Sequence, residues 1–267
     1  MTVMAVVKKG VAMENKVVKK YQTTFKNSTA EDILRNFFSI YSGSPAPGKP
    51  KNAKDRIALA SSLGAEDQVL THMALALHPT ARVFILDTGR FHGETYDLIA
   101  ATMKQYGMHY EILFPETADV EELESVHGPN SFYESIEQRK YCCHVRKVKP
   151  LQRVLSTLDV WITGLRRGQA VTRNTIEKIE WDDSNGIIKL NPIADWSEEQ
   201  VWNYIHENHI SYNKLHDQGY PSIGCAPCTR AVSQGENLRA GRWWWETPDQ
   251  KECGLHISNG KLNRRNK

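Results

Sequence analysis

"RIALASSLGAEDQVLTHMALALHPTARVFILDT" (residues 56–88) changes its periodicity twice. Residues 56–62 are a short apolar run that reads as a buried strand. Residues 65–79 carry Val69, Leu70, Met73 and Leu77 at the spacing of one helix face. Residues 82–88 are again continuously apolar, as expected of a parallel strand covered on both faces. Strand, helix, strand in this order predicts a βαβ unit and, repeated, a doubly wound, mostly parallel α/β sheet. In such a sheet ligands bind past the carboxyl ends of the strands, so motifs at strand ends carry the functional information.

Working outward, "HGETYDLIAATMKQYG" (92–107) predicts a helix with Tyr96, Ile99, Met103 and Tyr106 inward. "HYEILFP" (109–115) and "DVWITG" (159–164) predict further strands, and residues 175–193 a hairpin turning at Asn185-Gly186. Upstream, "STAEDILRNFFSIY" (28–41) predicts a helix opened by a Ser28/Glu31 capping box. Ser197 and Gln200 predict the same device for the helix in "SEEQVWNYIHENHI". Residues 42–55 hold three prolines and two glycines and read as a surface loop.

The chain has 267 residues with a formal net charge of +3, too small an excess to indicate nucleic acid. The opening "MTVMAVVKKG" lacks the order of a secretory signal, and no apolar run is long enough to span a bilayer. A cytoplasmic protein is expected, and its five cysteines are then thiols or metal ligands rather than structural disulfides.

Chemistry-bearing residues gather at the strand ends. Ser61, Ser62 and Gly64 make a tight turn before a helix, where backbone N–H groups and the helix dipole suit an anion. The turn lacks the lysine of a Walker A loop. "LDTGR" offers Asp87, Thr88 and Arg90 to a ribose or phosphate, or else serves as an ordinary turn. "TGLRRGQAVTR" places Arg166, Arg167 and Arg173 in one strand-end loop, which favours a phosphate or sulfate ligand. Cys142-Cys143 and Cys225-x-x-Cys228 could together hold zinc or a [4Fe–4S] cluster. Thioredoxin-like redox chemistry at the CxxC, or four inert thiols, are the alternatives. Arg239 and Arg242 add cations, and at least one of Trp243, Trp244 and Trp245 is expected to anchor onto the body. One cysteine, Cys253 in "KECGLH", has no neighbour of its kind.

Together "SSLGAEDQV", "LDTGR", "CCHVRK", "GLRRGQAVTR", "GCAPCTR", "GRWWWE" and "KECGLH" resemble the iron–sulfur branch of the phosphoadenylyl-sulfate reductase family, the assimilatory adenylyl-sulfate reductases, over roughly residues 56–256. The resemblance implies an adenine-nucleotide α-hydrolase-like fold related to the ATP pyrophosphatases. It implies reduction of adenosine 5′-phosphosulfate, or alternatively of its 3′-phosphorylated form or of both, to sulfite during sulfate assimilation and cysteine biosynthesis, with thioredoxin as donor. It also implies one [4Fe–4S] cluster on Cys142, Cys143, Cys225 and Cys228, and catalytic roles for Cys253, Lys147 and His256. Ser61, Ser62, Gly64, Leu86, Thr88, Arg90, Gly164, Arg166, Arg167, Arg173, Arg239 and Arg242 would then bind the nucleotide. On this reading residues 1–27 are a disordered extension, 28–235 the catalytic domain and 236–267 a flexible tail carrying the nucleophile. No nucleic acid or membrane partner is expected, and a homo-oligomer is left open. Two other classes compete: a nucleotide-activating RNA-thiolating enzyme with structural zinc, and a non-catalytic iron–sulfur module. The first favours an SGGxDS-like loop where this chain reads "SLGAED", and the second gives Cys253 no purpose.

Overall fold

The computed structural model describes residues 16–43, 55–169 and 173–247. Its six strands are β1 (Ile57–Ser61), β2 (Arg82–Leu86), β3 (Glu111–Leu113), β4 (Val160–Ile162), β5 (Ile179–Asp182) and β6 (Ile187–Leu190), in the sheet order β3-β2-β1-β4-β6-β5. All neighbours are parallel except the β5–β6 hairpin, whose turn places Gly186 at a φ of 65°. The expected doubly wound α/β class is borne out. The chain runs outward through β2 and β3, then returns to β4 on the other side of β1. The carboxyl ends of β1 and β4 are therefore the switch point at which such sheets bind ligands.

The continuous apolar runs have a simple cause. Ile57, Leu59, Val83, Ile85, Val160 and Ile162 enter one core with α2 (Ala30–Tyr41), α3 (Ala65–Leu77) and α8 (Glu198–Glu207). Their alternates Ala58, Phe84 and Trp161 enter a second core with Leu151, Val154 and Leu155 of α7 (Lys149–Leu155). Successive side chains point to opposite faces, and both faces are buried.

Several expectations need correction. Residues 16–24 form a helix, α1, inside the segment expected to be disordered. Val18 is buried, and Tyr21 and Phe25 pack on Phe37, so apolar residues at helical spacing dock it to the body. The cap of α2 is Thr29 with Asp32, one residue later than Ser28 and Glu31. In α4 (Gly93–Tyr106) the buried face is Thr95, Leu98, Ile99 and Thr102, while Tyr96 is exposed. The two threonines made that face look polar in the sequence, yet Thr102 accepts a bond from buried Gln68, and Thr95 one from buried Asn213. The Ser197/Gln200 box stands as expected. Most of the proline-rich loop lies outside the described residues. No helix among the described residues is long and apolar enough to cross a membrane.

Candidate active site

A cleft of about 260 Å³ opens at the carboxyl ends of β1 and β4, lined by Ser61, Ser62, Gly64, Leu86 and Gly164 among others. Its floor differs from a free anion-binding turn. Asp67, in the first turn of α3, accepts bonds from the Ser62 N–H and hydroxyl, both at 2.6 Å, and Ser61 Oγ accepts from the Leu63 N–H at 3.1 Å. Two backbone donors of this turn are thus used internally, and Leu63 takes a φ of 64°. Asp67 is buried, and desolvation pushes its carboxyl up to about 6 despite the bonds from Ser62. Gly164, after β4, presses against this carboxylate: a Cβ there would lie 3.0 Å from Glu66 Cβ and 3.3 Å from Asp67 Cγ.

Cations surround the cleft, but the expected set divides. Arg166, Arg173, Arg239, Arg242 and Lys147 line it. Arg166 is held at 2.7 Å by Glu66, and Arg173 donates to Gln169 at 2.6 Å. Arg167 instead turns away, donating to the Ile176 carbonyl at 2.7 Å beside Glu177. Arg90 and Thr88 serve the neighbouring cysteine cavity: Arg90 lines it, pairs with Glu124 at 2.9 Å and lies over Phe132, and Thr88 Oγ1 is 3.3 Å from Cys225 Sγ. Sequence reasoning missed Trp161, Trp202 and His216 in the cleft wall. It also missed the side chains of Glu66 and Asp67, although their position two and three residues after the strand-end Gly64 was visible.

The second cavity, about 20 Å³, is lined by all four paired cysteines, with Arg90, Arg139, Arg146 and Lys147 around them. Cys142 and Cys143 end α6 (Ile136–Cys143), which continues through a π-helical turn, His144–Val148, into α7. Such turns are commonly functional, and this one brings Arg146 and Lys147 to the same cavity as the cysteine pair. Cys225 and Cys228 bracket a 3₁₀ turn, tied by the Ala226 N–H to the Arg90 carbonyl at 2.8 Å. None of these four cysteines is in a disulfide. Burial pushes Cys142 up and Cys228 up to about 12. Burial also acts to raise Cys225, but Lys147, the Thr88 hydroxyl and Arg242 outweigh it and lower that thiol.

The donor set is sulfur alone. Among the described residues no group of three or more His, Cys, Asp or Glu is drawn together for a single metal ion. A [4Fe–4S] cluster would be held by four Cys thiolates. Buried N–H groups without partners in the structure, Arg146 Nε and the indoles of Trp243 and Trp245, belong to residues around the cysteines. Such donors suit a sulfur-rich, anionic group, so the residues present fit [4Fe–4S].

The segment following residue 235 is not all tail. Trp243 is buried against the cysteines, its backbone N–H bonded to the Cys228 carbonyl at 3.0 Å, while Trp244 is exposed. Trp245 packs against the same cluster and on Phe132 and Tyr133, so two indoles anchor the run and residues 236–247 belong to the body. Cys253 and His256 lie outside the described residues.

Comparison with known proteins agrees with this arrangement. A family model described as the phosphoadenosine phosphosulfate reductase domain matches residues 56–231. The chain is similar to the adenosine 5′-phosphosulfate reductase of Allochromatium vinosum, 50% identical over 202 residues, covering 76% of this chain and 79% of that one. It is 50% identical over 204 residues to the protein of the same name from Burkholderia cepacia, covering 76% and 82%. Among solved structures, the phosphoadenylyl-sulfate reductase of Candida auris in a phosphate complex superposes with a TM-score of 0.64 at 27% identity, over 80% of this chain and 96% of that one. Candida glabrata FMN adenylyltransferase, at a TM-score of 0.52 and 15% identity over 81% and 70%, shares the fold alone.

Proposed function

The chain belongs to the phosphoadenosine phosphosulfate reductase family, and on that premise we propose that it reduces adenosine 5′-phosphosulfate to sulfite and AMP with thioredoxin as electron donor. It is an oxidoreductase acting on sulfur. The observation that carries the reading is Lys147, which lines both the cation-lined cleft and the four-cysteine cavity. Curated relatives at 46–50% identity are named for adenosine 5′-phosphosulfate, the nucleotide without a 3′-phosphate. The 3′-phosphorylated nucleotide is the alternative substrate, named for the structural neighbour at 27% identity.

In this account the cleft holds the nucleotide with its phosphosulfate toward Lys147, Arg173, Arg239 and Arg242. The Cys253 thiolate attacks the sulfate sulfur. The bond from sulfur to the bridging phosphate oxygen breaks, AMP leaves with that electron pair, and an enzyme S-sulfocysteine remains. Cations around the phosphosulfate stabilise the charge that builds on departing AMP, and His256 supports the thiolate. A thioredoxin thiolate then attacks Cys253 Sγ, and sulfite leaves with the electrons of the sulfur–sulfur bond. Thioredoxin's second thiol displaces Cys253 and closes a disulfide, so two thiols are oxidised as sulfur is reduced by two electrons.

Cys142, Cys143, Cys225 and Cys228 would hold [4Fe–4S], which supplies local charge and polarisation when bound. Lys147 contacts the Cys225 thiol and also reaches the cleft, so it conveys the cysteine site's electrostatics to the sulfate end. The test is anaerobic sulfite release from both nucleotides with thioredoxin. Faster turnover of adenosine 5′-phosphosulfate is expected, and no sulfite from either would overturn the reading.

A further inference from the structure

Arg139 is one helical turn before Cys143 and takes no part in the scheme above. It is fully buried, and its Nε and Nη2 donate to Glu246 Oε1 and Oε2 at 2.8 and 2.7 Å. The Glu246 side chain is itself 2% exposed. Such a pair is poor evidence of stability, because desolvation offsets most of the attraction. A two-pronged arginine–carboxylate contact does fix geometry, and what it fixes here is the turn from Trp243 to Glu246, closed by the Glu246 N–H on the Trp243 carbonyl at 2.8 Å.

Trp243 needs such a restraint. It has a φ of 40°, costly for a bulky side chain, and is 1% exposed. Two guanidinium groups stack on its indole, each with its carbon 4.7 Å from the ring centroid. One is Arg139, which also contacts the Cys143 thiol. The other is Arg242, a cation of the cleft. Arg242 passes over Gly224, where a Cβ would stand 2.5 Å from Nη2, and donates from Nη1 to the Ile223 carbonyl at 3.2 Å. Its Nε is buried without a partner in the structure. A continuous path thus runs from Cys143 through Arg139, Glu246 and Trp243 to Arg242.

We propose that Arg139 and Glu246 are positioning residues: their ion pair seats Trp243, and Trp243 holds Arg242 in the cleft for the anionic part of the ligand. The cysteine cavity then shapes anion binding by a route independent of Lys147. Only the identity of the ligand rests on the function proposed above.

The test uses full-length, iron-loaded protein carrying Cys253→Ser, so that bound adenosine 5′-phosphosulfate is not consumed. Affinities for that nucleotide and for adenosine are measured by calorimetry with and without Glu246→Gln. Glu246→Gln is expected to keep the iron content and adenosine affinity while weakening the nucleotide about tenfold, the scale of one charge-assisted contact. It should add nothing on an Arg242→Ala background. Trp243→Phe, which leaves the ion pair intact, should show the same selective loss. Equal weakening of both ligands, an unchanged nucleotide affinity, or loss of iron in both variants would overturn the proposal. If the parent protein binds neither ligand, the proposed function itself fails, which is a distinguishable result.

Discussion

Gly164→Ala is the substitution whose consequence the structure specifies most closely. The added methyl would stand within 3.0 Å of Asp67 Oδ1, a distance real Cβ atoms essentially never show, and 3.3 Å from Asp67 Cγ. The carboxylate has nowhere easy to go, since it is buried and its other oxygen holds the Ser62 N–H and hydroxyl at 2.6 Å each. Weakening one charge-assisted bond costs about 1.5–3 kcal/mol, and pressing a methyl into packed surroundings costs about 1–3 kcal/mol. A loss of about 3 kcal/mol follows, which for a chain of this size lowers the thermal midpoint by roughly 6–12 °C. Circular dichroism during heating under anaerobic conditions reads it. Nucleotide affinity should fall too, because Ser62 lines the cleft. The decisive comparison is Asp67→Ala, which removes the carboxylate and leaves the tight approach to Glu66 Cβ at 3.0 Å; on that background Gly164→Ala should cost clearly less than in wild type, because the two positions are in contact and their effects do not add. A wild-type midpoint for the single variant, or an undiminished loss in the double, refutes the reasoning.

Asp67 also sets a pH dependence. Its folded-state value, about 6, lies above its ordinary 3.8, so the folded protein binds the proton more tightly than the unfolded chain. This group's contribution is greatest below about pH 4, falls by roughly 3 kcal/mol as pH rises through 6, and is level above that. Denaturant titrations of wild type and Asp67→Asn near pH 4 and near pH 7 should show that fall only in wild type; parallel behaviour counts against it. Cys228→Ser should yield protein without iron or visible absorbance, since it removes one of the four thiols facing the cavity. A full complement of iron in that variant would end the four-cysteine assignment.

Much of the fold was legible because its cause is local. Apolar runs at 57–61 and 82–86 are continuous as both faces of their strands are covered. Ser197 and Gln200 announce a helix start by side-chain chemistry alone. The four paired cysteines were legible as a group, though their shared cavity requires α6 and the 3₁₀ turn at Ala226–Cys228 to meet across 83 residues of sequence, from Cys142 to Cys225. What escaped depends on orientation. Arg166 and Arg167 are adjacent in the chain, yet only Arg166 faces the cleft, because Glu66 draws it in while Ile176 and Glu177 draw Arg167 out. Arg90 reads as a phosphate ligand in the sequence, whereas the fold places it on the wall of the cysteine cavity beside Glu124. Residues 16–25 carry enough lysine to read as a solvated end, but Val18, Tyr21 and Phe25 give them an apolar face packed on the core. The Arg139–Glu246 pair spans 107 residues; Glu246 closes the "GRWWWE" stretch, but nothing in the sequence marks Arg139 as its partner.

The central claim is that Cys253 carries the sulfur between nucleotide and thioredoxin. Its most direct test is the mass of wild-type enzyme given adenosine 5′-phosphosulfate without any reductant. The account predicts one turnover, one added sulfur trioxide unit, and its location by peptide mapping on "ECGLH" (252–256), with thioredoxin then removing the mass and releasing one equivalent of sulfite. An adduct on Cys225 or Cys228, or sulfite release without any covalent intermediate, would contradict it.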